Sequence, residues 1–138
     1  MRSPCASQPV TRQPVAKRIL IADHPLSSRE LLRSMLEADG YDVCDAEDGE
    51  QVLQRASTLL PQLILLDLLI PKLDGYQTAS ALRKMQIFQT TPLIALAAAW
   101  SDAAPERIFQ AGFTCYLVKP VLPAQLRKCL SGLLSPAG

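Results

Sequence analysis

The chain has one histidine, His24, so a zinc site built from several imidazoles is excluded. Its four cysteines, Cys5, Cys44, Cys115 and Cys129, stand singly and far apart in sequence. They make neither a C-x-x-C metal knuckle nor a dense disulfide framework, and the expectation is buried or incidental thiols in a reducing compartment. No charge-free apolar stretch approaches the roughly 20 residues that cross a bilayer, and the N-terminus lacks the apolar core of a signal peptide. A cytoplasmic location with no membrane partner is therefore expected. There is no Gly-rich dinucleotide fingerprint, no Walker lysine motif and no nucleophile elbow, which argues against an independent metabolic enzyme.

Basic charge is also scarce where it would matter. The net charge is +1, but Arg2, Arg12, Lys17 and Arg18 all precede the first apolar run, and from Ile19 onward ten basic residues face thirteen acidic ones. A mildly acidic body with no helix-turn-helix or winged appendage gives no support for nucleic-acid binding by this domain.

What is present is apolar residue content of 49% over 138 residues, enough for one domain with a good core. Residues 1–16, with Ser3, Pro4, Ser7, Pro9, Thr11 and Pro14, carry no periodic apolar pattern and read as a flexible leader. The folded unit is expected over 17–134. Residues 135–138 read as a short tail with no room for an effector domain.

Between these tails, strand and helix patterns alternate. Arg18 to Ala22 is a short apolar strand ending at Asp23, and residues 26 to 38 set Leu31, Leu32, Met35 and Leu36 on one helical face. Asp39-Gly40 stops that helix, Tyr41 to Cys44 alternates as a strand, and Gly49 to Thr58 is a second helix. Pro61 precedes a central strand at 62–66. A third helix starts near Gly75 and carries Ala79, Leu82, Arg83 and Met85. Pro92 opens a fourth strand at 93–96, residues 103–110 form a helix stopped by Gly112, 114–117 is the fifth strand, and 122–134 is the last helix, with Leu126, Cys129 and Leu130 inward. Five such units predict a doubly wound (βα)5 three-layer α/β sandwich, its parallel sheet ordered 2-1-3-4-5.

Strand ends are where such folds keep their chemistry. Asp67 closes the apolar run Leu63-Ile64-Leu65-Leu66 and is followed by a Pro- and Gly-bearing loop. Asp23 ends the first strand, Ala97-Ala98 the fourth, and Lys119-Pro120 follows the fifth. Residues 23, 67 and 119 should converge beside the first strand. Two carboxylates there would repel unless an ammonium or a divalent cation lay between them, and Lys119 or Mg²⁺ could serve. Asp74-Gly75 reads as helix-start chemistry.

The D-x-x-x-P-x-x-D-G stretch from Asp67 to Gly75, Pro92 before the fourth strand, A-G-F-T-C-Y-L-V-K-P from Ala111 to Pro120, and D-H-P-L-S-S-R-E-L-L from Asp23 to Leu32 together resemble a response-regulator receiver domain. The resemblance covers nearly everything from Arg18 to Leu134. It implies a cytoplasmic phosphoprotein of two-component signal transduction. Asp67 would accept a phosphoryl group from a histidine kinase or a phosphotransfer protein, as in a phosphorelay, or from a small phosphodonor by self-phosphorylation, without being a conventional enzyme. Lys119 would contact the phosphoryl oxygens. Asp23, Asp67 and the backbone carbonyl of Leu69 would ligate Mg²⁺, and Tyr116 would report activation by its rotamer. A downstream protein or a second copy would meet the face made by helix four, strand five and helix five, where Trp100 is either an exposed anchor or a residue packed over its loop.

The resemblance has two departures that make this an atypical receiver. The family usually carries a second acid where His24 stands, so Mg²⁺ affinity should be lower and His24 is a modified pocket residue or an ordinary solvated one. The family also presents a hydroxyl where Ala97 stands, and its absence removes a charge-assisted hydrogen bond worth on the order of 1.5 to 3 kcal/mol. Ala98 matches the usual small residue that admits the phosphodonor. Two functions stay open: a phosphoacceptor that modulates protein binding, and a phosphorylation-independent interaction module that keeps only the fold. Asp67 as a capping acid and Lys119 as its structural ion-pair partner are the plainer readings.

Overall fold

A computed structural model describes residues 17–24, 26–99 and 104–134. The expected leader 1–16, Trp100 and the tail 135–138 lie outside the described residues. The elements run β1 (Arg18–Ala22), α1 (Leu26–Ala38), β2 (Asp42–Ala46), α2 (Gly49–Leu59), β3 (Leu63–Asp67), α3 (Gly75–Arg83), a 3-10 turn (Gln86–Phe88), β4 (Leu93–Ala97), α4 (Pro105–Ala111), β5 (Cys115–Val118) and α5 (Pro123–Leu133).

The five strands form one sheet in the order β2-β1-β3-β4-β5, with every pair parallel. This is the doubly wound arrangement that the alternating pattern predicts. β3 and β4 are buried along their full length, because helices cover both faces of the sheet. Strand alternation divides the core in two. Leu20, Ile64, Leu66, Ala95 and Val118 face one layer of helices, with Val52, Leu82 and Ile108. Ile19, Ile21, Leu65, Ile94 and Leu117 face the other, with Leu36 and Leu126.

Several details differ from the sequence pattern. Leu31 is 62% exposed while Leu32 and Leu36 are buried, because a helix lying on a sheet buries a stripe at i and i+4 and leaves the adjoining position outside. α3 ends at Arg83, two residues before Met85, which instead opens the 3-10 turn. The Arg83 guanidinium fixes this exit by donating to the carbonyls of Phe88, Thr91 and Gly112 at 2.5, 2.7 and 2.8 Å. Cys44, buried in β2, is disulfide-bonded, so the expectation of a buried or incidental thiol does not hold for it.

Candidate functional site

β1 and β3 are neighbours at the point where the strand order reverses, and each ends on or just before an acid. Asp67 is the last residue of β3 and Asp23 follows β1; they are 3% and 1% exposed. Such burial of ionised carboxylates is unfavourable unless each oxygen is bonded or paired. Both are. Lys119, just past β5, donates from Nζ to Asp23 Oδ1 at 2.5 Å and to Asp67 Oδ2 at 2.8 Å. The other Asp67 oxygen accepts the backbone N–H of Leu69 at 2.9 Å, and Asp23 also accepts from the His24 N–H at 2.9 Å and from Ser28 Oγ at 2.6 Å.

The loops hold these groups by identifiable contacts. Lys119 N–H donates to the carbonyl of Ala97 at 2.8 Å, which extends the β4–β5 ladder to the lysine, and the following Lys119–Pro120 peptide is cis. After β3, Leu68 N–H bonds Leu96 and Gly75 N–H bonds Leu68, so the chain turns back under Asp67. A Cβ on Gly75 would lie 2.7 Å from both the Asp67 carbonyl oxygen and Leu68 Cα. Glycine is the residue this close backbone approach admits. Asp74 then caps α3 reciprocally with Gln77, as its position before a helix suggests.

Electrostatically the two acids diverge. Burial raises the Asp23 pKa, and the contact with Asp67 adds to the rise, outweighing Lys119 and Ser28. Burial pushes Asp67 upward too, but its bonds with Asp23, Lys119 and the Leu69 amide reverse that and leave its pKa below the ordinary value. Burial alone would lower Lys119, whereas its bonds to Asp23 and Asp67 leave its pKa raised. The cleft therefore carries a firmly protonated lysine beside one acid that holds its charge and one that gives it up more readily.

The remaining residues singled out by sequence are distributed differently. The His24 side chain is exposed, and it is the His24 backbone that joins the cluster, its carbonyl accepting Lys119 Nζ at 3.4 Å. Leu69 is 64% exposed and contributes its amide. Ala98 is exposed and borders a cleft of about 320 Å³ with Asp23 and Lys119, on whose lining Asp67 does not appear. Ala97 is wholly buried, with only a methyl group at the end of β4. Tyr116 does not border that cleft; it is half-buried and meets Phe109 of α4 edge to face, with ring centroids 6.4 Å apart. Ser28 is the contact that sequence reasoning missed, since a serine in the first turn of a helix ordinarily reads as a capping group.

The model of the response regulator receiver domain matches residues 19–131. The alkaline phosphatase synthesis transcriptional regulatory protein PhoP of Bacillus subtilis (strain 168) is 35% identical over 118 residues, which are 86% of this chain and 48% of that protein. The chain thus spans about half the length of that curated relative. Among solved structures, the receiver domain of sensor histidine kinase PA1611 from Pseudomonas aeruginosa PAO1, with a magnesium ion coordinated in its active-site cleft, superposes with a TM-score of 0.81 at 30% identity, covering 87% of this chain and 98% of that one. The chemotaxis protein CheY4 of Vibrio cholerae gives a TM-score of 0.80 at 28% identity, covering 86% and 99%. A family match through the length of the sheet, joined to the strand order and the acids at its reversal point, establishes that the chain belongs to the response-regulator receiver domain family.

Proposed function

We propose that this receiver accepts a phosphoryl group on Asp67 and thereby alters which protein it binds. The observation that carries this reading is the Lys119 ammonium within hydrogen-bond reach of both Asp23 and Asp67 at the mouth of the sheet. An Asp67 carboxylate oxygen attacks phosphorus while the phosphorus–nitrogen bond of a phosphohistidine breaks. The bonding pair leaves with the imidazole, and Asp67 becomes an acyl phosphate. The Leu69 amide fixes the carboxylate plane, and Lys119 supplies positive charge where the phosphoryl oxygens accumulate negative charge. With a small phosphodonor the same displacement amounts to self-phosphorylation, with no conventional enzyme activity.

The donor set suits Mg²⁺: two carboxylates, on Asp23 and Asp67, and the Leu69 carbonyl are hard oxygen ligands, and the ion ordinarily completes its shell with waters. Among the described residues no group of three or more His, Cys, Asp or Glu side chains could hold a metal ion. The ion therefore rests on fewer protein charges than a three-acid pocket offers. When bound, it would neutralise charge on the phosphoryl oxygens. The PA1611 receiver, with magnesium in its cleft, supports this assignment by similarity.

The phosphodonor in this reading is a histidine kinase or phosphotransfer protein in the cytoplasm. The responding surface is the α4-β5-α5 face, offered to a downstream protein or a second copy. Phe109 and Leu122 are 50% and 59% exposed on α4 and just before α5. No helix among the described residues is long and apolar enough to cross a membrane.

The test is intact mass after incubation with a small phosphodonor and Mg²⁺, with Asp67→Ala as control. An adduct in the native chain that is absent from the variant is the expected result. A second reading, a phosphorylation-independent interaction module, is favoured by the buried Ala97 methyl and the outward His24 side chain. It predicts no adduct and no binding of Mg²⁺ or a fluoroberyllate mimic at millimolar levels.

A further inference from the structure

Away from the carboxylate cleft, β5 and α5 carry the one pair of thiols that meet among the described residues. Cys115 Sγ and Cys129 Sγ lie 3.4 Å apart, both are free, and both are half-buried. They are 14 positions apart in sequence, yet strand-then-helix geometry brings them together against the core cluster that holds Leu117 of β5 and Leu126 and Leu130 of α5. We propose that Cys115 and Cys129 form a reversible dithiol–disulfide site that, when oxidised, ties α5 to β5.

The sulfur atoms need to close from 3.4 Å to the roughly 2.05 Å of a disulfide. Partial exposure lets a small oxidant reach them. The two thiols are also unequal. Either sulfur can donate their mutual hydrogen bond; with Cys129 as the acceptor, the bond lowers Cys129 to about 7 against the opposing effect of burial. The same bond, with burial, pushes Cys115 well up. In that arrangement Cys129 attacks as the thiolate and Cys115 resolves, and the opposite donor exchanges the two roles without changing the product.

The chemistry closes with a small-molecule disulfide as oxidant. Cys129 thiolate attacks one sulfur of oxidised glutathione, forms a mixed disulfide and expels a glutathione thiolate. Cys115 gives its proton to that departing thiolate and attacks Cys129 Sγ, and the second glutathione leaves and takes up the proton lost from Cys129. Two protein thiols are oxidised to one disulfide, and one small disulfide is reduced to two thiols. The bond lies within two of the three elements named for partner contact, β5 and α5. Cys115 precedes Tyr116, whose ring faces α4. Any effect of the linkage on partner binding rests on the receiver reading above, whereas its formation does not.

The test equilibrates the native chain, Cys115→Ser and Cys129→Ser in glutathione buffers of graded ratio, quenches with acid, alkylates, and maps peptides by mass so that this linkage is separated from that of Cys44. The expected result is joint protection of Cys115 and Cys129 in one cross-linked peptide, reversed by a reducing ratio. Cys115→Ser should stop at glutathione on Cys129, and amide exchange in α5 should slow several-fold in the oxidised native chain. Parallel alkylation of both residues at every ratio, or glutathione retained on Cys129 with Cys115 still free in the native chain, would overturn the proposal. Because this readout needs no phosphodonor, its outcome is separable from that of Asp67.

Discussion

Asp23 and Asp67 hold the same ammonium, at 2.5 and 2.8 Å, yet their acidities move in opposite directions. The difference follows from what each oxygen touches. Burial penalises both; at Asp67 the bonds with Asp23, Lys119 and the Leu69 amide outweigh it, whereas at Asp23 burial and the contact with Asp67 outweigh Lys119 and Ser28. A proton entering the pair resides on Asp23 and is shared toward Asp67, and the two titrate as a unit. The residue proposed as nucleophile is the one whose environment keeps it ionised.

This asymmetry predicts that Asp23→Asn stabilises the fold. A carboxyl whose folded pKa is raised penalises folding once it is ionised, and the penalty fades as pH falls through that raised value. Asparagine removes the charge while retaining the bonding pattern: its oxygen accepts from His24 N–H and Lys119, and its amide can donate to Ser28 Oγ in place of the bond that hydroxyl now donates. Urea unfolding at pH 7 should give a gain of about 1 kcal/mol, the scale of a single-site change. The gain should shrink toward acid pH. Equal stability of the two proteins at neutral pH would contradict the assignment.

Lys119→Met should act in the opposite sense. It strands two buried carboxylates without a cation, and breaking such a buried pair costs about 3 to 5 kcal/mol. In the native chain the raised Lys119 pKa means its contribution is complete below the ordinary value of 10.5 and is lost only as pH rises through the folded value. The variant should recover stability on acidification, as Asp23 takes up a proton first. The double variant Lys119→Met, Asp67→Asn should be more stable than Lys119→Met alone, which a double-mutant cycle by denaturant unfolding measures.

Much of the site is legible in sequence because a charge that terminates an apolar run has few roles in a parallel sheet. Asp23, Asp67 and Lys119 all stand at such endings, and the strand-order reversal brings them together. Asp74 before Gly75 is legible for a local reason, since capping depends only on neighbours three residues away. The other contacts are tertiary. Ser28 reaches Asp23 only after α1 docks on the sheet, and nothing in its local sequence separates it from Ser27. The outward turn of the His24 side chain is equally invisible, because a strand-to-helix junction can aim either the side chain or the backbone into a cleft. The meeting of Cys115 with Cys129 depends on how α5 packs against β5, which spacing alone does not give.

Gly75→Ala should disturb the site from beneath. The new Cβ would meet the Asp67 carbonyl oxygen and Leu68 Cα at 2.7 Å, and both are backbone atoms that cannot rotate away. Overpacking of this kind costs about 1 to 3 kcal/mol. The displaced segment carries the Asp67 carboxylate and the Leu69 amide, so phosphoryl uptake should fall by more than the stability loss explains. Rates of adduct formation, measured at a temperature where the variant remains folded, distinguish this from simple unfolding. An unaltered rate would show that the β3–α3 turn does not position the nucleophile.

His24→Asp should increase Mg²⁺ affinity by about tenfold, which corresponds to about 1.4 kcal/mol. The His24 backbone already touches both Asp23 and Lys119, so a carboxylate at this position starts next to the cleft without any rearrangement of the loop. The same substitution adds a negative charge beside two buried acids, one of which already resists ionisation. In the metal-free state the variant should therefore be less stable than the native chain, and Mg²⁺ should raise its melting temperature more than it raises that of the native chain, because a ligand that binds only the folded form stabilises in proportion to its affinity. Isothermal titration and thermal unfolding at several Mg²⁺ concentrations read the two effects separately. Equal affinities in both proteins would mean that the exposed histidine lies outside the cation's reach, and the weakened-metal account of this pocket would fail.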